Sequence, residues 1–212
     1  MKKYLLNIYI LLLIVVSLSS CDLAGLKFQE NEDYDYHVLD PKINMTALEF
    51  LNLPRTDTVF RMMQKGIEYA GLADEYSKPD RTFLFLTNSA ILRYDANGTV
   101  NKDCFFGKFK VNGVPAKKWE DYPVETVRDL FLYHIINGVY SYDNLSPDNT
   151  ITTSLRPTDS EVYILVVNSR DSKIRINDFP NAKKPVQVRS SNIQTTNGVI
   201  HALDLFIEFG SL

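Results

Sequence analysis

Cysteine is nearly absent: Cys21 and Cys104 are the two in 212 residues, which excludes a disulfide framework and every Cys-rich zinc site. Neither sign of charge dominates. The 23 Lys and Arg stand against 26 Asp and Glu, a formal net charge of −3, and no basic stripe gathers, so nucleic acid is not an expected partner. A glycine-rich phosphate loop and a Gly-x-Ser-x-Gly elbow are both missing, and with them the sequence marks of nucleotide binding and of the α/β-hydrolase nucleophile. Internal repeats and low-complexity tracts are missing too. Apolar residues nonetheless make up 45% and aromatic ones 12%, enough for a packed core, so wholesale disorder is excluded.

The N-terminus reads as an address. Lys2 and Lys3 precede an apolar run from Tyr4 to Val16, followed by Ser17-Leu18-Ser19-Ser20-Cys21. A positive start, a short apolar middle and a small-residue exit are the parts of a secretory signal peptide, here residues 1–20. The run is shorter than the roughly 20 apolar residues a membrane-crossing helix needs. Leu18-Ser19-Ser20-Cys21 resembles the bacterial lipobox, which implies acylation of Cys21 and a membrane partner held through N-terminal lipid. An ordinary signal peptide with a chance cysteine is the alternative. The expected location is the cell envelope, at the outer membrane, facing either the periplasm or the outside. With Cys21 acylated, Cys104 has no partner within the chain, and between Asp103 and Phe105 it reads as a small buried hydrophobe. Residues 21–43 carry Glu30, Glu32, Asp33, Asp35 and Asp40 without apolar period, as an acidic tether does.

A single domain is expected over residues 44–212. Thr46 caps a short helix with Leu48, Phe50 and Leu51, ending before Pro54. Thr56 or Asp57 opens a second with Phe60, Met63, Ile67 and Ala70 on one face and Gly71 as its stop. Thr82–Leu86 is a continuous apolar run, as in a strand buried on both faces. A short helix from Asn88 to Tyr94, a strand near Phe105–Val111 between turns at Asn97-Gly98 and Asn112-Gly113, and a helix from Val124 to Asn137 follow. The rest is strand-rich: Ile151–Leu155, Val162–Val167, Lys173–Ile176, Val186–Arg189 and Val199–Phe209. Helices early and strands late predict an α+β domain with antiparallel pairing.

Three separated blocks resemble the fasciclin-type domain. Thr82–Ile91 resembles the family's first signature, with Thr87-Asn88-Ser89-Ala90 and with Leu86 where a proline is usual. Leu132–Tyr140 resembles its central Tyr-His segment, with Asn137 where a proline is usual. Thr196–Asp204 resembles the second signature, carrying Asn197, Gly198 and His201. The resemblance implies a wedge of β-sheets with helices packed around it and a non-enzymatic module that recognises proteins or glycans. It also implies contact with adhesion partners through Tyr133 and His134, and it calls for no cofactor. Residues 97–123 look longer than the family norm, a possible insertion.

The residues themselves refine these expectations. On a helix reaching Asn137, His134 falls on the apolar stripe and Tyr133 on the opposite, exposed side. His134 then reads as a satisfied core histidine, tied to a loop through Thr87 or Asn88, ahead of a direct ligand contact. Asn197-Gly198 reads as a two-residue type I′ hairpin turn, and His201 falls in an apolar row of the strand after it. Two distant histidines without a third ligand at recognised spacing define neither an acid–base pair nor a metal site, so no catalytic residue and no metal are expected. Trp119 and Tyr122, beside Lys117 and Lys118, are candidates for a sugar-stacking platform. Through them the chain would serve, as an alternative, as an accessory subunit of an outer-membrane glycan-capture assembly. An envelope enzyme with an unrecognised site is the remaining class.

Overall fold

A computed structural model of the chain describes Tyr4 and residues 40–180, 182 and 184–209. The expected signal peptide (apart from Tyr4), Cys21 and nearly all of the tether lie outside these residues. Residues from Asp40 onward form one unit.

Helix α1 (Ala47–Leu51) starts where Thr46 predicts. The Thr46 hydroxyl accepts from the Glu49 N–H at 3.2 Å, and the Glu49 carboxylate accepts from the Thr46 N–H at 2.7 Å, a capping box. Helix α2 (Asp57–Ala70) buries Phe60, Met63, Ile67 and Ala70 on one stripe and ends at Gly71, whose φ of 63° is the left-handed cap that glycine adopts at little cost. Strand β1 (Arg81–Leu86) and helix α3 (Asn88–Ile91) follow, the helix stopping short of the expected Tyr94 because Leu92 is already extended.

Phe105–Lys108 is a turn of helix, α4, instead of a strand. Consecutive Phe105 and Phe106 are both fully buried, which alternation on a strand cannot achieve on a one-sided sheet. One helical turn sends both rings inward against Trp119 and Tyr122. Helix α5 (Val124–Tyr133) ends well before Asn137. Residues Ile135–Asn137 become strand β2, which pairs antiparallel with β1 through Thr82 opposite Ile136.

The remaining strands are β3 (Thr150–Thr153), β4 (Glu161–Val166), β5 (Ile174–Ile176), β6 (Val186–Gln187), β7 (Ser190–Thr195) and β8 (Gly198–Leu203). They make two four-stranded sheets, ordered β2-β1-β8-β7 and β3-β4-β5-β6. All pairings are antiparallel except the central β1–β8 pair, which is parallel, with Leu84 opposite His201. That pair is buried along nearly its whole length, and such strands read as continuous apolar runs. The α+β class stands, as an antiparallel-rich arrangement around one parallel pair. Pro41–Ile43, assigned from sequence to the tether, run beside β7: Gln194 N–H donates to the Pro41 carbonyl at 2.8 Å and Ile43 N–H to the Gln194 carbonyl at 2.7 Å. The expected last strand stops at Leu203, and Asp204–Phe209 cross the core irregularly with Phe206, Ile207 and Phe209 buried.

Candidate binding groove

Both core histidines are fully buried and doubly bonded. His134 donates from Nδ1 to the Leu130 carbonyl at 2.8 Å and accepts at Nε2 from the Ile207 N–H at 3.0 Å. It therefore ties α5 to the C-terminal crossing segment, and the partner is Ile207 rather than Thr87 or Asn88. His201 accepts at Nδ1 from the Asn192 N–H at 3.1 Å and donates from Nε2 to the Tyr140 carbonyl at 2.8 Å. Each ring is held neutral in one tautomer, because one nitrogen faces a donor and the other an acceptor. Burial pulls both titrations down from 6.5 to about 4. The two share no partner. Among the described residues no three His, Cys, Asp or Glu side chains gather as a metal site.

The signature polar residues are also knots of the fold. Asn197 accepts at Oδ1 from the Ala47 N–H and the Thr195 hydroxyl, and donates from Nδ2 to the carbonyls of Tyr76 and Lys78, all within 3.0 Å. It fastens α1, the β7–β8 turn and the lead into β1. The turn itself differs from expectation. Thr195 pairs with Gly198, so the loop is Thr196-Asn197, and neither has positive φ; it is not a type I′ turn. Gly198 is required by close approach: a Cβ there would lie 1.9 Å from the Arg81 carbonyl oxygen. The Thr87 hydroxyl donates to Asp204 at 2.8 Å, joining the ends of β1 and β8. Asn88 accepts from the Met62 N–H and donates to the Thr58 carbonyl, pinning α3 to α2. Cys104 is buried, its thiol directed at the Asn101 carbonyl 3.0 Å away.

All four candidate contact residues are buried, so none is where an exposed role needs it, and His134 serves in core hydrogen bonds instead of a partner contact. Trp119 and Tyr122 are 3% and 6% exposed. The indole N–H donates to the Met62 carbonyl at 2.7 Å and the Tyr122 hydroxyl to the Phe109 carbonyl. The rings pack among Phe105, Phe106 and Phe131, so a sugar-stacking platform built on them is corrected to a core cluster. Residues 97–123 supply part of that core. Tyr133, expected on the exposed face, is 3% exposed because α5 ends there and the second sheet covers it.

Tyr133 does reach the floor of a groove of about 420 Å³. Its hydroxyl donates to the Glu161 carbonyl and accepts from Asn177 Nδ2, both at 3.0 Å, and burial holds its titration above the ordinary tyrosine value. The groove walls were not anticipated from sequence. They come from alternate positions of β4, Glu161 and Tyr163, and from Asn177 and Phe179 just after β5, while Val162, Ile164, Ile174 and Ile176 point into the core. Glu208 and Phe209 close one side. Tyr163 and Phe179 lie with ring centroids 4.5 Å apart, Phe209 sits 4.7 Å from Tyr133, and the Arg156 guanidinium lies over Phe209 at 4.6 Å. The signal in the sequence is Glu161-Val162-Tyr163-Ile164, where an aromatic shares the polar face of an amphipathic strand.

The fasciclin domain model matches residues 58–208, and the chain belongs to the fasciclin family. Among solved structures it is similar to a FAS1 domain pair from the insect cell adhesion molecule fasciclin I, at 15% identity and a TM-score of 0.52. The match covers 77% of this chain and 51% of that one, so this chain spans about half the length of the insect pair. At that identity the likeness shows the fold. No curated protein matches this chain. Membership of the fasciclin family is consistent with a binding role.

Proposed function

We propose that this chain is a non-enzymatic binding and adhesion module, lipid-anchored at Cys21 in the cell envelope and recognising a protein or glycan partner through the groove over Tyr133. The carrying observation is the division of labour among its side chains. The histidines that an acid–base reading would need are locked into core hydrogen bonds on both nitrogens, while Tyr163, Phe179 and Glu161 line an accessible recess. Family membership supports a recognition role. The lipobox-like Leu18–Cys21 supports attachment at the outer membrane.

The test separates the two parts. Cys21→Ser should release the protein from membranes without altering its fold, and retention in the membrane fraction without acylation would refute anchoring. Tyr163→Ala with Phe179→Ala should abolish adhesion to envelope preparations, whereas His201→Gln should spare it in any protein that stays folded. Turnover of an envelope substrate that disappears in a folded His134→Gln or His201→Gln variant would refute the non-enzymatic reading.

A further inference from the structure

From the groove's chemistry we infer its occupant: the end of an uncharged oligosaccharide, a hexopyranose lying against Tyr163 and Phe179. This rests on the recognition role proposed above and goes further by naming the ligand class. Five observations carry it.

The recess, at about 420 Å³, falls within the few-hundred-Å³ range of small-ligand sites. Its accessible apolar surface is aromatic, in the half-buried Tyr163 and Phe179. Flat rings of this kind offer a face to the C–H face of a pyranose while fixing little conformational freedom. Hydrogen-bonding groups of both kinds sit around them. Glu161 accepts the Tyr163 hydroxyl at Oε1 (2.7 Å), which leaves Oε2 as an acceptor for sugar hydroxyls, and the Lys184 ammonium has donors beyond its one bond to Asp103.

Charge decides which sugars fit. Asp159 is paired with Arg156 at 3.3 Å, Glu208 with Lys108, and Lys184 with Asp103 at 3.3 Å. Glu161 forms no ion pair among the described residues. Among the described residues the recess is therefore slightly negative, and a uronate or sulfated unit would face the Glu161 carboxylate. Backbone geometry argues against strand addition along the β4 wall: β4 lies between β3 and β5, its own ladder already paired.

The experiment titrates the folded domain with cellotriose, maltotriose, mannotriose and N-acetylchitotriose, using a galacturonate trimer as the anionic control, by calorimetry and saturation-transfer NMR. At least one neutral trimer should bind saturably, in about the millimolar range or tighter. Tyr163→Ala and Phe179→Ala should each weaken it by about fivefold or more at unchanged melting temperature, and Glu161→Gln should relax discrimination against the galacturonate trimer. Absence of binding by every neutral trimer, or binding indifferent to both ring substitutions, overturns the inference. So does preference for the galacturonate trimer in the unaltered protein. If no trimer binds while the ring variants still lose adhesion to envelope preparations, the saccharide assignment fails and the recognition role stands.

Discussion

Acid should unfold this domain through its two buried histidines, in a pH range set by their burial. In the unfolded chain a histidine titrates near 6.5; in the fold His134 and His201 are pulled down to about 4. A folded value below the unfolded one means that the unfolded state takes up the proton first. The stability contribution is thus complete above about pH 6.5 and is lost as pH falls from there to about 4, with no further loss beyond. Between about pH 7.5 and pH 5, linkage gives a loss of about 2 kcal/mol for each ring and about 4 kcal/mol for the pair. Against the roughly 5–15 kcal/mol of a typical domain that is a large share. The carboxylates held below their usual range, Glu49 by its bonds from Thr46, Glu75 beside Lys78 and Arg81, Asp103 beside Lys184 and Asp121 by the backbone N–H groups of Lys117 and Lys118, lose their partners only at lower pH and leave this interval to the histidines. Urea unfolding at the two pH values measures the difference. Glutamine, which keeps one donor and one acceptor, should at either position remove about half of the pH dependence. An unfolding free energy that is flat over this interval, or an undiminished slope in the double glutamine variant, would refute the reasoning.

Gly198→Ala should destabilise the domain by about 3 kcal/mol or more, since its Cβ would meet the Arg81 carbonyl oxygen at 1.9 Å inside the parallel pair; thermal melting checks it. Asn197→Ala strands the Ala47 N–H and the Tyr76 and Lys78 carbonyls and should cost about 2–4 kcal/mol in denaturant unfolding. Tyr76→Phe should stabilise by about 1 kcal/mol, because the Tyr76 hydroxyl is buried without a partner. Cys104, fully buried, should react with a thiol reagent only as fast as the domain opens, and fast labelling in native buffer would contradict that burial.

Much of the scaffold is legible in the chain because its elements announce themselves locally. Thr46 with Glu49, the Phe60–Ala70 stripe and the Thr82–Leu86 run each satisfy a rule within a few residues, and the structure follows them. Strand β7 is not legible because Ser190–Thr195 is polar apart from Ile193 and is held by partners on either side, β8 and Pro41–Ile43. Helix α5 looked longer because Ile135 and Ile136 continue an apolar pattern that periodicity alone cannot assign, and pairing with β1 decides it. The histidines were recognisable as core groups, but their partners at Ile207 and Tyr140 are far along the chain. The burial of Trp119 and Tyr122 is not legible because a lysine-rich neighbourhood looks exposed while the rings it flanks turn inward. The groove is not legible in the chain, since Tyr163, Asn177, Phe179 and Glu208 meet only once the second sheet and the C-terminal segment are in place.

The division between interior imidazoles and an aromatic recess is tested most directly by adhesion of the labelled domain to envelope preparations, comparing three folded proteins side by side. The unaltered domain and the His134→Gln/His201→Gln variant should adhere equally, and Tyr163→Ala/Phe179→Ala should not adhere at all. Undiminished adhesion by the recess variant, with loss in a folded histidine variant, would contradict it.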